Sequence, residues 1–144
     1  MANGYSDARH TPFPVGLTHS LLRAVTGALF MQHGVQKLFG LLVDPSRPWT
    51  GPPPMFSQFW IAGVLETFGG ALIVLGLLTR PVAFVLAGEM AVAYFQAHLP
   101  RGVFPIRNGG EVVVQFCFVY LFLAAAGGGP YSLDALLRAR RARR

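Results

Sequence analysis

Apolar residues fall in four long runs separated by short stretches of proline, glycine and charge: Leu21 to Val43, Met55 to Leu78, Pro81 to Leu99 and Glu111 to Gly127. Each run approaches the ~20 residues that carry a helix across ~30 Å of hydrocarbon. The pattern predicts an all-α, integral membrane four-helix bundle. Asp44-Pro45-Ser46 is expected to stop the first helix, and Gly51-Pro52-Pro53-Pro54 withholds helical hydrogen bonds before the second. Thr79-Arg80-Pro81 is a short link whose proline suits a first helical turn, so the second and third helices should be antiparallel neighbours. After Pro130, Ser132 is placed to cap a short amphipathic helix, with Leu133, Leu136 and Leu137 on one face and arginines following. The chain thus divides into a polar segment (1–20), a transmembrane domain (21–129) and a basic tail (130–144).

Composition strengthens the membrane reading. Of 144 residues, 53% are hydrophobic and 12% charged, against roughly 25% charged in a soluble domain. The net charge is +6, yet five arginines crowd between Arg138 and Arg144, a local anchor for anionic inner-leaflet lipid rather than a nucleic-acid surface. With four spans both termini share a side. That side holds Arg9, Arg80 and the five terminal arginines, against Arg47, Arg101 and Arg107 opposite, so both termini are expected in the cytoplasm. The opening sixteen residues lack the basic start and apolar stretch of a signal peptide, so the first span is expected to be retained. Cys117 stands alone, without a disulfide partner or a CxxC pair.

Ionisable groups at membrane depth are costly and mark functional sites. A rise of ~1.5 Å per residue puts Glu66 and Glu89 near the midplane, His33 and Gln115 somewhat outward, and Lys37, His98 and Glu111 near the outer edge. His33 and Lys37 share a helix face, as do Glu111 and Gln115, and each pair is expected to point inward, giving one outward-opening polar layer drawn from all four helices. Gly69, Gly70 and Gly88 are expected to admit a neighbouring helix beside the two midplane carboxyls. A carboxyl near a histidine makes a proton donor and acceptor pair. The structural alternatives are snorkelling for Lys37, His98 and Glu111, and an inter-helix hydrogen bond for Glu66 and Glu89. Arg23 reads as a snorkelling or ion-pairing residue. His33 and His98 differ in depth, which argues against haem, and no flavin motif or metal-ligand set is present.

Several motifs together resemble the DoxX family of small membrane proteins: Arg23, His33-Gly34-Val35-Gln36-Lys37-Leu38, Glu66-Thr67-Phe68-Gly69-Gly70, Leu75-Gly76-Leu77-Leu78-Thr79-Arg80, Asn108-Gly109-Gly110-Glu111 and Gly129-Pro130-Tyr131-Ser132-Leu133-Asp134. The likeness runs from about Leu21 to Asp134. The proline-rich stretch from Asp44 to Pro54 and the arginine-rich tail fall outside its pattern. The resemblance implies a prokaryotic inner-membrane location and maps the shared His-Gly-x-x-Lys and Asn-Gly-Gly-Glu elements onto His33, Lys37, Asn108 and Glu111. The family takes its name from membrane subunits of an archaeal thiosulfate:quinone oxidoreductase, and other relatives are linked to thiol-redox membrane assemblies.

Two functions are therefore expected to compete. In the first, the chain is a membrane subunit of a quinone-linked oxidoreductase. His33, Glu66 and Glu111 then handle protons, while Lys37, Glu89, His98, Asn108 and Gln115 hold a quinone head group. In the second it is a non-enzymatic anchor or assembly subunit. Both require other subunits or further copies of the chain as partners, and neither involves nucleic acid. A solute or proton pathway is disfavoured by the short helices and the lack of broken-helix repeats.

Overall fold

A computed structural model describes residues 14–46 and 49–144. Arg9 and Arg47, which enter the charge count, lie outside the described residues, as does most of the polar N-terminal segment. The described residues are helical and contain no strand. The long helices are α1 (Val15–Phe39), α2 (Gln58–Leu75), α3 (Thr79–Arg101) and α4 (Glu111–Ala126), followed by a short α5 (Leu133–Arg141). α2 and α3 are each long and apolar enough to cross a membrane.

The helix ends show which local signals prevailed. α1 runs only to Phe39, and the proline at position 45 does not terminate it. Gly40, at φ 64°, takes the left-handed conformation and returns its N–H to the Gln36 carbonyl, a C-cap that glycine adopts without steric cost. The Asp44 carboxylate instead accepts the Ser46 N–H and hydroxyl, each at 2.8 Å, which holds it below the usual carboxylate range. Between α2 and α3 the chain reverses through Gly76 at φ 65° and Leu78 at φ 50°, leaving Pro81 in the first turn of α3, where its missing N–H costs nothing. Ser132 caps α5 by accepting the Ala135 N–H at 3.2 Å.

α1 packs along α2, and α3 packs along α4. The two pairs meet across a core of Phe30, Ile73, Leu86, Met90, Tyr120 and Leu123. Glycines set the spacing of the first pair. A Cβ on Gly27 would lie 2.9 Å from the Gly70 carbonyl oxygen, and one on Gly34 would lie 2.7 Å from that of Gly63. Both glycine pairs are seven residues apart on their own helix, so each recurs on the same face after two turns and lets the backbones touch. Gly69 receives Leu86 of α3. Gly88 is different: nothing lies within 4 Å of a Cβ there, so it admits no helix beside Glu89, contrary to expectation.

At the end where α1 and α3 begin, Arg23 is 3% exposed and clamps three segments. Its guanidinium donates to the Ile73 and Val74 carbonyls at the close of α2, to Gly128 at 2.9 Å and to Tyr131 at 2.8 Å. All four partners are backbone carbonyls, two at the close of α2 and two in the segment between α4 and α5, so the residue is a backbone clamp rather than half of an ion pair. Asp134 completes the lock. Its carboxylate accepts the Leu78 and Thr79 N–H groups, each at 2.9 Å, and its own N–H donates to the Gly76 carbonyl at 2.9 Å.

Candidate functional site

The site grows from the α1–α2 contact. Because Gly34 presses against Gly63 and Thr67, the next turn of α1 brings Lys37 against α2. α2 widens there into one π-helical turn, Leu65–Gly69. Such a turn inserts a residue into the helix and re-aims the side chains beside it, and it recurs at functional sites. Here it leaves both Glu66 and Thr67 buried. The Lys37 ammonium donates to Glu66 Oε1 at 2.6 Å, with side-chain exposures of 28% for Lys37 and 4% for Glu66.

Other polar atoms nearby have no partner. Glu66 Oε2, Thr67 Oγ1, both carboxyl oxygens of Glu89 and the Tyr120 hydroxyl are buried without a hydrogen bond. Glu89 comes from α3 and lies within electrostatic reach of Glu66 and Lys37. Tyr120 comes from α4 and lies within reach of both carboxyls. Its ring is fixed edge-on to Phe30, centroids 5.0 Å apart, and stacked on Phe116 at 6.0 Å. Buried polar groups are normally satisfied, so this concentration of unpaired acceptors marks a place for a donor. Two carboxyls face one ammonium, and a proton or a ligand donor would balance the excess.

Lys37, Glu66 and Glu89 line a cleft of about 480 Å³ between α2 and α3. Most of the rest of its wall is apolar, built from Phe59, Leu65, Val85 and Val92 among others. Gln58 and Gln96 line the same cleft and hydrogen-bond to each other across it. The volume falls in the ~300–1,000 Å³ range of small-molecule sites, and an apolar wall with a few converging polar groups is their usual character.

The other residues expected at the site go elsewhere, and the single polar layer separates into three places. Glu111 and Gln115 are exposed, because Phe116, Tyr120 and Leu123 occupy the inward stripe of α4. His33 is also exposed, its ring 6.4 Å from Phe116 at the α1–α4 seam, since Phe30 and Gly34 take the inward stripe of α1. His98 sits in the last turns of α3, and Asn108 belongs to the segment joining α3 to α4. Asn108 donates to the Gly102 carbonyl at 2.7 Å, accepts the Gly110 N–H at 2.8 Å, and its carbonyl lies 3.1 Å from His98 Nδ1. Those bonds fold the loop. Of the residues named from the sequence, Lys37, Glu66 and Glu89 come together. Tyr120, Gln58 and Gln96 join them without having been foreseen. Tyr120 carried one signal, a lone hydroxyl in the apolar stripe Phe116, Tyr120, Leu123. No cluster of metal-ligating side chains occurs among the described residues.

Known proteins place this geometry in context. The DoxX family model matches residues 18–99. An uncharacterized protein of Haemophilus influenzae is 37% identical over 120 residues, covering 80% of this chain and 87% of its own length. An uncharacterized membrane protein of Mycobacterium tuberculosis is 27% identical, covering 83% of this chain and 80% of its own. A Bacillus subtilis protein named "Putative oxidoreductase CatD" is 29% identical, with 79% and 82% covered. No solved structure matches.

Proposed function

This chain belongs to the DoxX family, and from that premise we propose an integral membrane subunit of a quinone-linked oxidoreductase whose α2–α3 cleft receives the quinone head group. The observation that carries the reading is the cleft itself: an apolar wall into which one ammonium and two carboxyls converge, with acceptor atoms left unpaired. The name given to the B. subtilis relative agrees with redox work.

The donor set suits the group. A quinone, when bound, takes up two electrons and two protons on reduction. Lys37 can donate to a carbonyl oxygen, and Glu66 and Glu89 can accept a hydroxyl proton or return one. The ion pair holds Lys37 and Glu66 in register before any ligand arrives, and the apolar walls keep water from competing for the carboxyls. Tyr120 brings a buried, unpaired hydroxyl within electrostatic reach of both carboxyls. The site is lateral, between helices, as suits a ligand dissolved in lipid.

All four long helices are read as spanning the membrane. Exposed Leu29, Phe68, Phe84, Phe95, Phe118 and Phe122 would otherwise present a large apolar surface to water. Arg80 and the α5 arginines mark the cytoplasmic end, and Arg101 with Arg107 the other, in a prokaryotic inner membrane. An anchor or assembly role has its own support in His33, Glu111 and Gln115, polar groups on the outer surface of helices read as embedded, where another subunit would meet them.

The test is the quinone content of gently extracted, purified protein, by solvent extraction and chromatography. Wild type should retain quinone near one per chain, Glu66→Gln and Glu89→Gln should lose most of it while remaining folded, and Gln115→Ala, outside the cleft, should keep it. A folded wild type without quinone, even after quinone is added back, moves the assignment to the assembly role.

A further inference from the structure

The site in the cleft leaves α5 unused, and its surface has a definite chemistry. Leu133, Leu136 and Leu137 fall on one face at i, i+3 and i+4, and they are 37%, 47% and 45% exposed. Arg140 continues that face, four residues after Leu136 and three after Leu137, while Arg138 and Arg141 flank it. Arg143 and Arg144 follow at once. Asp134 is the only acid on the helix, and it is turned to the Leu78 and Thr79 amides. The outer surface of α5 is therefore apolar along its first two turns and cationic beyond, with no compensating acid.

α5 is also held rather than loose. Ser132 caps it, Asp134 ties it to the α2–α3 turn, and Arg23 grips the preceding Tyr131 carbonyl. Exposed Leu75, Leu78 and Tyr131 surround that anchoring point, so the apolar face of α5 continues into apolar surface of the long helices.

We propose that α5 docks on an anionic lipid surface, with Leu133, Leu136 and Leu137 entering the acyl boundary and Arg138, Arg140 and Arg141 reaching phosphate groups. Arginine suits the boundary because its aliphatic stem lies along apolar groups while the guanidinium reaches the headgroups. An amphipathic helix binds through buried apolar area plus attraction to anionic lipid, and here both features sit on one exposed side. Being tethered to the turn between α2 and α3, the docked helix fixes the depth of that end of the molecule. The surface takes no part in the cleft chemistry, so this proposal and the quinone assignment stand or fall separately.

The experiment is limited trypsin cleavage of the full chain in nanodiscs of pure phosphatidylcholine or of phosphatidylcholine with phosphatidylglycerol, followed by mass spectrometry. Cleavage after Arg138, Arg140 and Arg141 should slow by about tenfold or more in the anionic discs and recover at high salt. Cleavage after Arg107, in the loop at the opposite end, is the internal control and should respond less. The variant L136S/L137S, exposed on α5 and remote from the cleft, should lose most of the protection. Equal cleavage of α5 in both discs overturns the proposal. Protection that survives both high salt and L136S/L137S also overturns it, since contact with protein rather than lipid would then be covering the helix.

Discussion

Replacing Arg23 tests whether the clamp at the end where α1 and α3 begin holds the molecule closed. The guanidinium is 3% exposed and serves four carbonyls, Ile73 and Val74 on α2 and Gly128 and Tyr131 on the segment leading into α5. A hydrogen bond involving a charged group contributes ~1.5–3 kcal/mol net, which for four independent bonds would reach ~6–12 kcal/mol. They are not independent. One buried cation makes all four, and its desolvation costs several kcal/mol, which Arg23→Ala recovers while stranding the carbonyls. The expected loss for Arg23→Ala is therefore ~3–4 kcal/mol. Arg23→Lys keeps the charge but not the planar fork that reaches both segments, and should lose ~2 kcal/mol. At ~2–4 °C per kcal/mol for a chain near this length, thermal unfolding in mild detergent should fall by ~6–15 °C for alanine. Hydrogen exchange supplies the local readout: the Tyr131 and Asp134 amides, bonded to Ser20 Oγ and the Gly76 carbonyl, should lose protection before the middle of α1 does. An Arg23→Ala protein that melts within ~2 °C of wild type and keeps those amides protected would refute the clamp.

Glycine substitutions should differ in sign. Gly27→Ala sets a methyl 2.9 Å from the Gly70 carbonyl oxygen, backbone that cannot step aside, and should cost ~1–3 kcal/mol, whereas Gly88→Ala meets nothing within 4 Å and should be neutral or stabilising by up to ~1 kcal/mol. Paired melts decide it, and the reverse order would contradict the packing. A double-mutant cycle of Lys37→Met and Glu66→Gln should show a coupling of ~1–3 kcal/mol, kept modest by the partial exposure of Lys37, while additivity within ~0.5 kcal/mol would mean that the pair is not energetically linked. Burial works against ionisation of Asp134, but the Thr79 and Leu78 amides and nearby Arg138 outweigh it and hold its carboxyl below the usual carboxylate range. Its folded pKa is thus lowered, so its contribution is complete above the unfolded value near 3.8 and fades as pH falls through the folded one. Proteolytic release of α5 should rise on acidification in that window, and Asp134→Asn should flatten the response; identical acid profiles would exclude the carboxylate as the anchor.

Periodicity and composition determined much on their own. Four long apolar runs can bury their backbone hydrogen bonds only as helices, so the all-helical fold, the tight α2–α3 reversal before Pro81 and the capped α5 follow from local chemistry. The presence of polar groups at depth was equally legible, because charge within an apolar run stands out whatever its neighbours. Where those groups point was not. A helix turns 100° per residue, so a one-residue difference separates Gly34, pressed into α2, from His33 on the surface, and the π turn at Leu65–Gly69 resets the phase around Glu66. Which stripe of α4 faces inward depended on what α1 and α3 offered it, and Phe30 and Leu86 favoured Phe116 and Tyr120 over Glu111 and Gln115. Only the packed helices could pair Lys37 with Glu66 across two elements, set Glu89 and Tyr120 beside them, and join His98 near the end of α3 to Asn108 in the segment that follows. Sequence supplies each residue's chemistry and local geometry, while contacts between residues far apart in the chain exist only once the helices have met.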